Sequence, residues 1–153
     1  MDKLNRKHQQ LIQALKTLET TIEIFKFCNQ KKGCGCSKID PAEDYRIHRD
    51  SVVQRFEYCI DLFWKYLKKY LEIMQITVGI NVPGEVVRTA CTAKVLSEDE
   101  AENILDMIKS RNMTSHMYVE EVAELLAAKI PTYHAVMSVA TQRLVLKISS
   151  LNK

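Results

Sequence analysis

The stretch Val52-Val-Gln-Arg-Phe56-Glu-Tyr-Cys59-Ile-Asp-Leu-Phe63-Trp-Lys-Tyr-Leu67-Lys-Lys-Tyr70-Leu-Glu-Ile-Met74 decides the fold class. Its apolar residues Val52, Phe56, Cys59, Phe63, Leu67, Tyr70 and Met74 recur at intervals of three and four. That spacing stacks them on one side of a helix and would scatter them over both faces of a strand. Upstream, Asp40 is placed to cap this helix and Pro41 to open it, because proline at the first helical position gives up only an N–H that has no partner there. Downstream, Gly79, Asn81, Pro83 and Gly84 break it, so the helix is expected to run from Pro41 to about Ile76.

The same period extends in both directions. Leu4, Leu11, Leu15, Leu18, Ile22 and Phe25 form the stripe of a first helix, which ends in the loop-like Asn29–Lys38. A short helix is expected from about Glu85 to Lys94. Ser97-Glu-Asp-Glu100 is a capping box, in which the serine hydroxyl and the glutamate each bond the other's backbone N–H. Ala101, Ile104, Leu105 and Ile108 carry that helix towards Arg111. A last stretch begins near Tyr118, and Pro131 is expected to kink or divide it. Tyr133, Met137, Ala140, Leu144 and Ile148 then extend its stripe. No segment alternates as a strand would. The expectation is an all-α, antiparallel up-and-down bundle of four main helices and a short one, a single domain over residues 1–153. Such wide apolar stripes in so short a chain also imply that a second copy buries some of them.

Composition agrees. Of 153 residues, 46% are apolar, enough for a core without metal or disulfide support. Four glycines and three prolines are few for an all-β protein. A net charge of +3 is too small to mark a nucleic-acid binder by itself. No apolar run reaches the length of a bilayer-spanning helix, and the N-terminus lacks the apolar core of a signal peptide, so no membrane association is expected. Cys28, Cys34, Cys36, Cys59 and Cys91, an odd set, are expected to be thiols in a cytoplasmic protein.

Chemistry concentrates in Arg111-Asn-Met-Thr-Ser-His116-Met-Tyr118. Arginine offers a planar positive fork for phosphate, and histidine exchanges protons near neutral pH. On an unbroken helix Arg111 and His116 stand about 140° apart. Thr114 and Ser115 are capping residue types, so a break between the two is expected, which would bring both to a helix end where free N–H groups favour an anion. With seven arginines and four histidines, a comparable Arg–His spacing arises by chance roughly 0.5 times, so the spacing alone carries little.

The wider context carries more. Arg111-Asn112, His116 and Tyr118 resemble the Arg-polar-x-x-x-His-x-Tyr motif of HEPN-domain proteins that partner minimal nucleotidyltransferases. Arg49-Asp-Ser-Val-Val-Gln-Arg-Phe56-Glu57 with Asp61-Leu-Phe-Trp64-Lys65 is similar to that family's second helix, and Val82-Pro83-Gly-Glu85-Val-Val-Arg88-Thr-Ala90 to its third-helix region. Asp61 stands where the pattern usually has Glu, Ala101 where an aromatic is common, and Gly33-Cys-Gly-Cys36 has no counterpart. The resemblance implies a homodimer whose two motifs meet in one cleft, and metal-independent cleavage of RNA with no cofactor. It assigns proton transfer to His116, charge neutralisation to Arg111, and orientation of the histidine or a phosphate oxygen to Asn112. It also implies a cognate minimal nucleotidyltransferase that silences the site by attaching AMP to Tyr118. Close relatives are described as substrate-binding subunits, so a non-catalytic nucleotide-binding role is the alternative, and a plain helical interaction module is a third.

The remaining candidates have simpler readings. Cys34 and Cys36 make only half a tetrahedral zinc site, so no metal is expected. Phe56, Phe63 and Trp64 fall on or near a helical stripe and are expected in the core. Lys65, Lys68 and Lys69 read as a solvated face, His48 and His134 as incidental, and Arg49 and Glu57 as structural groups ion-paired between helices.

Overall fold

A computed structural model describes residues 1–30, 38–116 and 119–151. Five helices follow one another: α1 (Asp2–Gln30), α2 (Pro41–Ile73), α3 (Pro83–Thr92), α4 (Glu98–His116) and α5 (Glu120–Leu151). They form an all-α, antiparallel bundle with α2 at its centre, packed against each of the other four. α1 lies along α2 most extensively, and α5 covers both, while short α3 leans on α2 and α4.

The expected stripes are the core. Val52, Phe56, Cys59, Phe63, Leu67 and Tyr70 are all buried, and Leu4, Leu11, Leu15, Leu18 and Ile22 meet them from α1. Trp64 is half-buried against this core, with the Lys65 ammonium 5.8 Å from its ring centre. Burying Cys59 pushes its thiol up to about 12, which leaves it inert.

Helix ends show how local chemistry sets the boundaries. The capping box forms as its spacing implies: Ser97 N–H donates to Glu100 Oε2 at 2.9 Å, and Glu100 N–H to Ser97 Oγ at 3.1 Å. Asp40 occupies the cap position of α2, yet only its carbonyl serves, accepting from Asp44 N–H at 2.9 Å. α2 ends three residues earlier than expected because Gln75 turns to a positive φ of 58°, and Ile76 N–H then closes back on the Leu71 carbonyl at 2.9 Å. Lys94, also at φ 58°, ends α3 with the same closure, Val95 N–H to the Ala90 carbonyl at 2.9 Å.

Three expectations are corrected. Pro131 does not divide α5, which runs from Glu120 to Leu151 packed against α1, α2 and α4, contacts that outweigh the one hydrogen bond the proline forfeits. α4 runs unbroken to His116, because the Thr114 hydroxyl folds back on the Arg111 carbonyl at 2.9 Å instead of capping a new turn. Cys28 is disulfide-bonded, while Cys59 and Cys91 are free. An odd cysteine count excludes complete pairing, not a single bridge. The Cys34–Cys36 loop is outside the described residues. Among the described residues no helix is long and apolar enough to cross a membrane.

Candidate functional site

The candidate site grows from a polar stripe on α2, opposite the core stripe. Asp50, Gln54, Glu57 and Asp61 follow one another at intervals of four, three and four, which places them within a narrow arc. The final turns of α4 pass over this arc. Arg111 Nη2 donates to Asp61 Oδ2 at 3.0 Å, with both side chains 36% exposed. One helical turn further, the Thr114 hydroxyl meets the Glu57 carboxylate. The pairing therefore runs in register: two carboxylates four apart on α2 against an arginine and a threonine three apart on α4.

Beside this seam lies a cavity of about 610 Å³. Ile47, Asp50, Gln54 and Glu57 line it from α2, Thr114 from α4, and Val119 and Ala123 from the start of α5. It opens beneath the α4–α5 junction, where the chain carries His116 and Tyr118. The backbone of His116 closes α4; its side chain, and all of Tyr118, lie outside the described residues.

A second polar cluster pins the other side of that junction. Arg49 is fully buried, and Nη1 donates to Glu124 at 2.8 Å and to Glu120 at 3.2 Å, both on α5. Its Nη2 stands 2.9 Å from Asp50. The Tyr45 hydroxyl donates to Glu124 at 2.7 Å, and Arg46 reaches Glu120 at 3.2 Å. Burial works against the Arg49 charge, but the three carboxylates more than offset it and hold the guanidinium above its ordinary range. Hydrogen bonds from Arg49 and then Arg46 hold Glu120 below the usual carboxylate range. The reading of Arg49 as ion-paired between helices agrees with these contacts, whereas Glu57 meets the Thr114 hydroxyl and lines the cavity.

Asn112 goes elsewhere. It is exposed and lines a different cavity, of about 670 Å³, with Arg88 and Gly84 of α3, Lys109 and Met113 of α4, and Val122 of α5. α4 thus separates two hollows, with Arg111 turned to α2 and Asn112 to α3. Because α4 is unbroken, Arg111 and His116 stand in its C-terminal turns, where exposed carbonyls favour cations. Sequence reading passed over Asp50 and Gln54; the 50–54–57–61 polar spacing was the available signal. His134 ties α5 to α1 through the Leu15 carbonyl at 3.1 Å, an anchoring role. Among the described residues no cluster of His, Cys, Asp or Glu is arranged to hold a metal ion.

Known proteins share the family pattern of the chain and its fold. A family model described as "Nucleotidyltransferase substrate binding protein like" matches residues 6–146. The crystal structure of a Thermus thermophilus protein superposes with a TM-score of 0.68 at 29% identity, covering 88% of this chain and 98% of that one. A chain of the toxin–antitoxin MntA–HpeT structure superposes with a TM-score of 0.63 at 13% identity, covering 90% and 97%, a likeness of fold. No curated protein matches by sequence.

Proposed function

The chain belongs to the nucleotidyltransferase substrate-binding protein family, and on that premise we propose that it is the helical partner of a small nucleotidyltransferase and a metal-independent endoribonuclease. The observation that carries this reading is Arg111, half-exposed and paired with the Asp61 carboxylate at the rim of the hollow beneath the α4–α5 junction. An exposed ion pair of this kind holds together by about 1 kcal/mol or less, so an RNA phosphate can displace Asp61 from the guanidinium.

In the proposed reaction two copies bring their motifs into one cleft. One His116 takes the proton from a 2′-hydroxyl, whose oxygen attacks the adjacent phosphorus. The other His116 protonates the departing 5′-oxygen, and Arg111 from each copy neutralises the charge that builds on the phosphate. The products are a 2′,3′-cyclic phosphate and a 5′-hydroxyl. The partner enzyme silences the site by AMP transfer: the Tyr118 phenol oxygen gives up its proton and attacks the α-phosphorus of ATP, the α–β phosphoanhydride bond breaks and pyrophosphate leaves, and the attached AMP adds bulk and negative charge to the motif.

The test is RNA cleavage by the purified protein with the ends of the products identified. His116→Ala should cut roughly a hundredfold more slowly or worse while keeping its helical content, and EDTA should change little. With the partner enzyme, ATP and magnesium, intact mass should rise by one AMP in wild type and not in Tyr118→Phe. Undiminished cleavage by folded His116→Ala protein would remove the mechanism.

One observation favours a second reading, in which the chain holds a nucleotide for its partner. The hollow lined by Asn112 is largely apolar, with Arg88 and Lys109 at its edge, a composition suited to a planar ring with phosphates. Nucleotide binding that Arg88→Ala and Lys109→Ala weaken, in a protein that does not cut RNA, would establish it.

A further inference from the structure

α5 carries two stripes. The inner one, including Leu126, Ile130, Tyr133, Met137 and Leu144, is buried in the bundle. The outer one alternates steps of four and three: Leu125, Thr132, Val139 and Leu146 on one register, Ala128, Ala135 and Gln142 on the other. All seven are exposed, Leu125 and Leu146 at 69% and Val139 at 58%. None is charged. The outer face of α1 is different, with Lys16, Glu19, Glu23 and Lys26 facing solvent. An uncharged stripe with a mean step of 3.5 residues is the pattern by which two helices wind around each other with a left-handed twist.

We propose that this outer stripe of α5 pairs two copies of the chain, antiparallel, about a two-fold axis beside Ala135. The stripe reads nearly the same in both directions from that residue. Leu125 then meets Leu146 of the second copy, Thr132 meets Val139, and the two Ala135 residues flank the axis. Charge selects the antiparallel direction. At the two ends of the stripe α5 carries the exposed Glu121 and the exposed Lys147, whereas Glu120, Glu124 and Arg143 are held within the chain by Arg46 and Arg49, by Arg49 and by Glu100. Antiparallel pairing brings Lys147 of each copy towards Glu121 of the other and opposes the helix dipoles, whereas parallel pairing sets the two Glu121 carboxylates together at one end and the two Lys147 ammoniums at the other.

Dimensions set the strength. From Glu121 to Ser149 the stripe is about 42 Å long and about 10 Å wide, on the order of 400 Å² per copy. That is about half the usual share of a stable interface, so the association is reversible and weak. Position sets its relation to the proposed ribonuclease cleft. Val119 is sixteen residues from Ala135, about 24 Å along the helix, so the two α4 ends stand about 48 Å apart in this pair. The contact is distinct from the cleft, and a chain using both builds assemblies larger than a dimer.

The experiment is light scattering on the full chain from about 10 to 500 µM, joined to cysteine cross-linking. Wild type should gain mass with concentration, reaching about twice that of the Leu125→Glu/Leu146→Glu double variant at the top of the range. Both substitutions are at exposed positions, and an unchanged thermal transition checks the fold. Ala135→Cys alone should form an oxidised dimer beyond any seen with wild type. Leu125→Cys and Leu146→Cys should cross-link when mixed and not singly. Equal masses for wild type and the double variant overturn the proposal, and so does Leu125→Cys linking to itself. No RNA enters the measurement, so its outcome is independent of the ribonuclease reading.

Discussion

Arg49 and Arg111 are the same residue type, each bonded to carboxylates across a helix–helix seam, yet the two sites differ in kind. Arg49 is fully buried and satisfied by Asp50, Glu120 and Glu124, so that nothing can replace its partners without opening the α2–α5 contact. Arg111 keeps 36% of its side chain exposed and holds Asp61, itself 36% exposed. A buried arginine with three carboxylates is a clamp, whereas a half-exposed one with a carboxylate at its side retains a charge that an incoming phosphate can claim. Burial, more than residue type, separates structure from candidate function.

The comparison can be broken first at the clamp. Arg49→Ala leaves a void and strips the carboxylates of their counter-ion, and should cost about 3 kcal/mol. In a chain of this size that lowers Tm by about 6–12 °C. A fall of less than about 2 °C in a thermal melt would mean that Arg49 is no clamp. Arg111→Ala should reverse the pattern: stability changes by about 1 kcal/mol or less, while RNA cleavage falls roughly a hundredfold, equivalent to about 2.7 kcal/mol of barrier. Melting and cleavage measured on the same preparations separate the two arginines directly.

Smaller effects sharpen the contrast. Asp61→Asn keeps the shape of the Arg111 partner and removes its charge. In a His116→Ala background, fluorescence anisotropy should then show RNA bound about twofold to fivefold more tightly, with the melting temperature nearly unchanged. Weaker binding would show that Asp61 orients Arg111 more than it competes for it. Acid offers the subtlest test. Arg49 and Arg46 hold Glu120 below the usual carboxylate range, and a hydrogen bond from Arg143 does the same for Glu100. The folded chain therefore binds fewer protons than the unfolded chain while these groups titrate, and stability that is present above the ordinary carboxylate range is lost as the pH falls through and below it. In Arg49→Ala that loss should be shallower, because Glu120 no longer has its principal partner. Denaturant midpoints across this range would measure the difference.

Much of the fold was legible in the chain itself. The stripes of α1, α2 and α5 and the Ser97–Glu100 box are local patterns, and each formed where its spacing placed it. The expectations that failed were also local ones, overridden from a distance. Pro131 and the Thr114-Ser115 pair are breakers by propensity, yet α5 is not divided where three helices pack against it, and α4 runs on with the Thr114 hydroxyl held by the Arg111 carbonyl and by Glu57 of α2.

The candidate site divides in the same way. Arg111, Asn112, His116 and Tyr118 could be named from a motif, but nothing in the motif pairs Arg111 with a residue fifty positions earlier or turns Asn112 to the opposite side of the helix. By itself the sequence determined that the chain is helical, which faces are apolar and which residue types stand in the motif, since these depend on contacts three or four residues apart. Only the tertiary structure decided that Arg49 is sealed and Arg111 accessible, and that the outer stripe of α5 faces solvent. Those distinctions depend on which surfaces other helices cover, and that is a property of the assembled bundle.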